Sequence, residues 1–279
     1  MKTRRLTLFL ASLALALACQ PAAANPLITR ALKFLVAAGI EAAIQISLEE
    51  AYDSYKKKKS ASRAPACEEM PTNKTLTTPL AWAVSVGYTE GVICLLENGV
   101  NPNSRNSDDA IRYKGASMLY LAARGDYAKN IEVVSLLLAA GADVNARGWA
   151  DFTPLMGASM SKTTYSTEIT RLLLQSGAKV NAMDDDGRTA LMLAVDSGSM
   201  GKVQLLLEHG ANANAATNDG ETPLIEAAYL GKIGVARLLI EHGADVNAAN
   251  KNGITALFLA EKKGYTEIVR MLRAAGARE

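Results

Sequence analysis

From residue 71 onward the hydrophobic positions recur with a fixed beat. Apolar triplets stand at Cys94-Leu95-Leu96, Leu136-Leu137-Leu138, Leu172-Leu173-Leu174, Leu205-Leu206-Leu207 and Leu238-Leu239-Ile240. Each is followed three positions later by a glycine: Gly99, Gly141, Gly177, Gly210 and Gly243, with Gly276 next in the series. The last four of these glycines lie 33 residues apart. Ahead of the triplets come Thr78-Pro79-Leu80, Thr153-Pro154-Leu155 and Thr222-Pro223-Leu224, with Thr189-Ala190-Leu191 and Thr255-Ala256-Leu257 as variants. A threonine hydroxyl accepts from an otherwise unpaired N–H of a first helical turn, and proline has no N–H to lose there. Glycine takes the left-handed conformation that ends a helix. A second set, Gly87, Gly198, Gly231 and Gly264, falls between the two halves of each unit. The pattern predicts helix, turn, helix and extended loop, repeated about six times in an all-α chain.

Residues 26–59 carry a different pattern. Ile28, Leu32, Leu35, Val36, Ile40 and Ile44 fall near helical spacing, predicting a helical segment. Arg30, Lys33 and Glu41 interrupt it and argue against a membrane span. Its closing run, Lys56-Lys57-Lys58-Lys59, reads as a solvated helix end, where cations suit the dipole, rather than a membrane-surface contact. Ser60, Ser62, Pro65 and Ala66 make residues 60–70 a linker. The expected division is a helical segment and linker over 25–70, positioned to cover the first repeat, and the repeat array over 71–279.

The first residues follow the order of an export signal. Lys2, Arg4 and Arg5 precede an apolar run from Leu6 to Ala18, and Ala22-Ala23-Ala24 offers a small-residue cleavage site. Residues 1–24 are therefore expected to be a signal peptide. Ala16-Leu17-Ala18-Cys19 resembles a bacterial lipobox, which supplies an alternative: a lipoprotein signal over 1–18, with Cys19 lipidated. The expected location is the periplasm, soluble or lipid-anchored at the outer membrane.

The 33-residue period, the Thr-Pro-Leu helix starts, the turn glycines and the segments Gly141 to Asn145 and Gly243 to Asn247 resemble ankyrin repeats. The resemblance covers residues 71–279 and implies an ankyrin-repeat solenoid that binds a macromolecular partner without catalysis. The histidine of the family's Thr-Pro-Leu-His motif is replaced by Ala81, Tyr120, Met156, Met192, Ile225 and Phe258. Its hydrogen bonds are expected to be missing, leaving apolar packing to carry more of the stacking. Arg273 stands where inner repeats have Leu207 and Ile240, which predicts a polar outer cap.

Composition narrows the chemistry. A net charge of +2 gives no electrostatic pull toward nucleic acid. Membrane association is expected only through a lipid anchor, and the chain is expected to be a monomer. His209 and His242, the only histidines, occupy equivalent helix ends and have no converging partners, so neither a metal site nor a general base is expected. Asp184-Asp185-Asp186-Gly187 lacks the alternating acidic spacing of a calcium loop. No phosphate-binding loop or nucleophile elbow is present, and no cofactor is implied. Cys67 and Cys94 either pair as a disulfide or leave Cys94 filling a leucine-type position with Cys67 free.

Candidate contact residues stand out because aromatics make up only 5% of the chain. Gly99 and Gly141 stand 42 apart, so this repeat has a longer loop between Asn103 and Leu119 and a longer turn near Asp126 to Asn130. The next has a longer turn near Ser161 to Ser166. Ankyrin proteins generally bind through loop tips and the exposed side of first helices, so the resemblance directs attention there. Arg112, Tyr113, Lys114, Trp149, Phe152, Arg188 and Tyr229 occupy such positions, and Tyr, Trp and Arg are enriched at interface hot spots. For Trp149 and Phe152 the competing expectation is packing on a neighbouring loop. The function this implies is binding one protein partner of the bacterial envelope, protecting or inhibiting it as an immunity protein does. Alternatives are an envelope scaffold, or an accessory factor that stabilises a periplasmic enzyme.

Overall fold

Thr78, Thr153, Thr189, Thr222 and Thr255 each accept, through the side-chain oxygen, the backbone N–H three residues ahead, at 3.1 to 3.5 Å. The helix starts therefore lie where the sequence places them. The computed structural model describes residues 78–106 and 115–278. Among them are twelve α-helices in six pairs: α1 (Pro79–Ser85) and α2 (Thr89–Glu97), α3 (Met118–Arg124) and α4 (Asn130–Ala139), α5 (Pro154–Met160) and α6 (Ser166–Gln175), α7 (Ala190–Ser197) and α8 (Met200–Glu208), α9 (Pro223–Tyr229) and α10 (Ile233–Glu241), α11 (Ala256–Lys263) and α12 (Thr266–Ala274). The described residues divide into two compact units, one holding those up to residue 122 with 127–143, the other 123–126 with 144–278. In the first unit α1 packs on α2, and α2 on α4.

The second unit has two layers. First helices α5, α7, α9 and α11 pack in sequence, and second helices α6, α8, α10 and α12 do the same behind them. Leu155, Leu173, Leu191, Leu206, Leu224, Leu239, Leu257 and Leu272 are buried between the layers. Met156, Met192 and Ile225, at the position of the family histidine, are also buried, as expected for stacking by apolar contact. Phe258 is 49% exposed, with the Lys262 ammonium 5.8 Å from its ring centre. Arg273 points to solvent and pairs with Glu261 at 2.7 Å. Its equivalents Leu207 and Ile240 are buried and half-buried respectively.

A ladder of asparagines links successive repeats. In the second unit Asn145, Asn181, Asn214 and Asn247 each donate through Nδ2 to the carbonyl of the next repeat's glycine, Gly177, Gly210, Gly243 or Gly276. The Oδ1 of each accepts the N–H two residues beyond that glycine. Asn103 makes the same pair of bonds to Gly141 and Asp143 in the first unit. Every rung reaches one repeat forward.

The longer turns are stitched by buried polar side chains. In the first unit, buried Asn130 donates to the Ala122 carbonyl at 2.9 Å and accepts the Tyr127 N–H. In the second, Lys202 occupies a core position eight residues before Gly210, where other repeats have Val133, Ile169, Val235 and Ile268. It is 0% exposed, and its ammonium donates to the carbonyls of Ala158, Ser159 and Ser161 at the end of α5. The turn at residues 161–166 leaves these oxygens facing the core, and a cation at a helix C-terminus meets the negative end of its dipole.

Candidate partner-binding surface

The loops between repeats end in tight turns whose tips bond to one another. Asp185 N–H donates to the Ala150 carbonyl, Asn218 N–H to that of Asp186, and Lys251 N–H to that of Asp219. In three loops the residue two before the helix-start threonine is a glycine with positive φ: Gly187 (77°), Gly220 (82°) and Gly253 (74°). The loop before α5 has Asp151 at that position, at φ 58°, preceded by Ala150 at φ 52°. Two consecutive left-handed residues with side chains cost on the order of 1 kcal/mol each, and persist only where surrounding bonds impose them.

Those bonds are present. Besides the bond to Ala150, Gly148 N–H donates to the Phe152 carbonyl at 2.9 Å. Arg147 pairs with Asp151 at 2.6 Å and donates to the Met183 carbonyl at 3.1 Å. The turn raises the Trp149 indole, which is 55% exposed and lies parallel to Phe152 with ring centres 6.3 Å apart. Phe152 itself is only 5% exposed. Its ring lies parallel to that of Trp149 with the Arg188 guanidinium 5.7 Å from its centre, so of the pair it is Trp149 that stands in solvent. Arg188 is half-buried and bonded to Asp184 and Asp186. The Asp184 carboxylate also accepts the N–H groups of Asp186 and Arg188, so the acidic triplet shapes its own loop.

Tyr229 closes α9 and is 47% exposed, with the Lys263 ammonium 4.5 Å from its ring centre. Trp149 is thus at a loop tip and Tyr229 at the far end of a first helix. Arg112, Tyr113 and Lys114 lie outside the described residues, as do Cys19 and Cys67. Cys94 is disulfide-bonded. His209 and His242 donate through Nδ1 to the carbonyls of Leu205 and Leu238, four residues back, so each caps its own helix. No cluster of metal-ligating side chains occurs among the described residues. None of their helices is long and apolar enough to cross a membrane.

Sequence reasoning missed the strained turn and one carboxylate. Glu226, on the α9 face between the loop tip and Tyr229, is held above the usual carboxylate range by burial and by repulsion from Asp196 and Glu221. A glutamate standing where Leu193 and Leu259 occupy the neighbouring repeats was the available signal.

The chain matches the family described as ankyrin repeats (3 copies) over residues 31–148, 119–217, 155–250 and 203–278. The match begins within the stretch that the hydrophobic pattern sets apart from the array. A solved ankyrin repeat domain from Acinetobacter baumannii AYE is 33% identical, with a TM-score of 0.62, covering 72% of this chain and 98% of its own. No curated protein matches the chain. The protein belongs to the ankyrin-repeat family, an all-helical repeat fold that generally serves as a protein-binding scaffold.

Proposed function

We propose that this protein is a non-catalytic module of the bacterial cell envelope that, as a monomer, binds one protein partner and shields or inhibits it, as an immunity protein does a periplasm-acting toxin. The observation that carries the binding reading is the Trp149 turn. Two strained residues and an Arg147 clamp hold a large aromatic in solvent, where it contributes little to folding. The ordered export pattern of residues 1–24 supports the envelope setting, as does the disulfide at Cys94, since such bonds persist in oxidising compartments.

Trp149→Ala combined with Tyr229→Ala is expected to weaken partner binding at least about tenfold, since each exposed aromatic anchor is worth 1 kcal/mol or more at an interface. The melting temperature should move little. Titration calorimetry against a partner purified from native envelopes checks both; unchanged affinity would refute this choice of face. Recovery of many partners at equal affinity would favour a scaffold instead. Mass spectrometry of the mature chain is expected to find an N-terminus after Ala24, whereas a diacylated Cys19 would establish the anchored form.

A further inference from the structure

The repeats share one register. Thr153, Thr189, Thr222 and Thr255 each stand twelve residues after a helix-ending glycine, Gly141, Gly177, Gly210 or Gly243. Four residues after each glycine comes the asparagine that bonds forward, Asn145, Asn181, Asn214 or Asn247. Counted back from Thr78 by the same intervals, the glycine's place falls on Ala66 and the asparagine's on Met70. Methionine has no side-chain N–H, so the donor that a rung would offer the Gly99 carbonyl is missing. The family match nonetheless begins at residue 31, which leaves room ahead of Thr78 for one further 33-residue unit.

A different bond can be made at that joint. Cys67 follows Ala66, in the place held later by Ala142, Ala178, Ala211 and Ala244. The loop that begins at Ala178 runs to the end of the next repeat's second helix, where Asn181 meets Gly210. Cys94 lies at the matching end of α2, five residues before Gly99. It is half-buried where Leu136, Leu172 and Leu205 are buried. Cys94 is disulfide-bonded, and Cys19 and Cys67 are the only other cysteines of the chain. Cys19 stands in the export pattern of residues 1–24. Cleavage after Ala24 discards it, and the lipobox alternative commits its sulfur to a thioether.

We propose that the partner of Cys94 is Cys67, and that this disulfide is a covalent rung fastening a leading repeat, within residues 31–77, to α1 and α2 where the asparagine is missing. In its formation two S–H bonds break and one S–S bond forms. The electron pair and both protons pass, by thiol–disulfide exchange, to a donor disulfide that is reduced to a dithiol. The rung therefore closes only where such donors are kept oxidised, so the leading joint is made after export and opens in a reducing medium. This goes beyond the binding reading, since it concerns when the first repeats are joined and not what the array grips.

The test uses the full chain purified from an exporting host. Digested without reductant, it is expected to yield a disulfide-linked peptide pair joining Cys67 to Cys94, identified by mass spectrometry. Reduction of the intact chain is expected to lower its first melting transition by about 5–10 °C. Cys67→Ala, which leaves Cys94 in its place on α2, should melt with the reduced wild type and show no further response to reductant. Adding Met70→Asn to Cys67→Ala should recover about 2 °C or more, because an amide then stands in the rung's place. A link between Cys19 and Cys94, a free Cys67 thiol in the oxidised chain, an unchanged melt on reduction, or no recovery from Met70→Asn overturns the proposal.

Discussion

Lys202→Ala is expected to destabilise the second unit by about 3–5 kcal/mol, read as a shift in the urea midpoint. The substitution removes a fully buried four-carbon stem and leaves the Ala158 and Ser159 carbonyls without the donor that reaches them. Ser161 retains a bond from the Ser166 hydroxyl. Lys202→Met keeps most of the volume and loses only the donor, so its cost should be smaller, about 1–3 kcal/mol. Equal costs would mean that packing alone matters. Burial pushes the Lys202 ammonium down to about 8 from an ordinary 10.5. The unfolded chain therefore binds more protons between those two values, and stability should rise with pH across that window, by at most about 1.4 kcal/mol per unit. Lys202→Met should abolish this rise. A wild-type profile that is flat or falls between pH 8 and 10.5 would show that the three carbonyls hold the proton more firmly than burial loosens it.

Gly231→Ala is the second substitution with a large expected effect, about 3 kcal/mol, against about 1 kcal/mol for Gly264→Ala. Both glycines have positive φ, 68° and 76°, so both variants carry the left-handed cost. They differ in what a β-carbon would meet. At Gly231 it would stand 2.7 Å from Cζ of the Tyr265 ring, whereas at Gly264 nothing lies within 4 Å. Tyr265 stands half-buried at the N-cap of the next repeat's second helix, and its ring must be displaced to admit the added carbon. Paired thermal melts of the two variants check the contrast, and equal losses would assign the whole effect to φ.

Much of this structure was legible because its signals are local and periodic. A threonine that caps, a proline at a first turn and a glycine that ends a helix act within a few residues, so Thr153, Pro154 and Gly177 could be read directly. What escaped depends on partners brought together only by folding. Asn145 was visible as part of a recurring motif, but its bonds run to Gly177 and Lys179. The missing histidine suggested stacking by apolar contact, and Met156, Met192 and Ile225 are buried there. Lys202 looks like a surface lysine until the Ser161 turn points three carbonyls at it.

The candidate surface divides in the same way. Trp149 and Phe152 carry equal weight in sequence, and only the folded loop, which buries Phe152 and leaves Trp149 exposed, separates them. Left-handed Ala150 and Asp151 were not readable, because neither residue type announces positive φ as glycine does.

The asparagine rungs have a further consequence for how the chain tolerates change. Each rung speaks only to its immediate successor, so damage at one rung leaves distant joints intact and propagates outward only by fraying. A repeat flanked by matching rungs is an interchangeable part: the spare residues at 161–166 enlarge one turn while the rungs from Asn145 to Gly177 and from Asn181 to Gly210 keep the same form. Such a chain can lengthen, shorten or remodel a single tip by local edits while the asparagine rungs on either side keep their form.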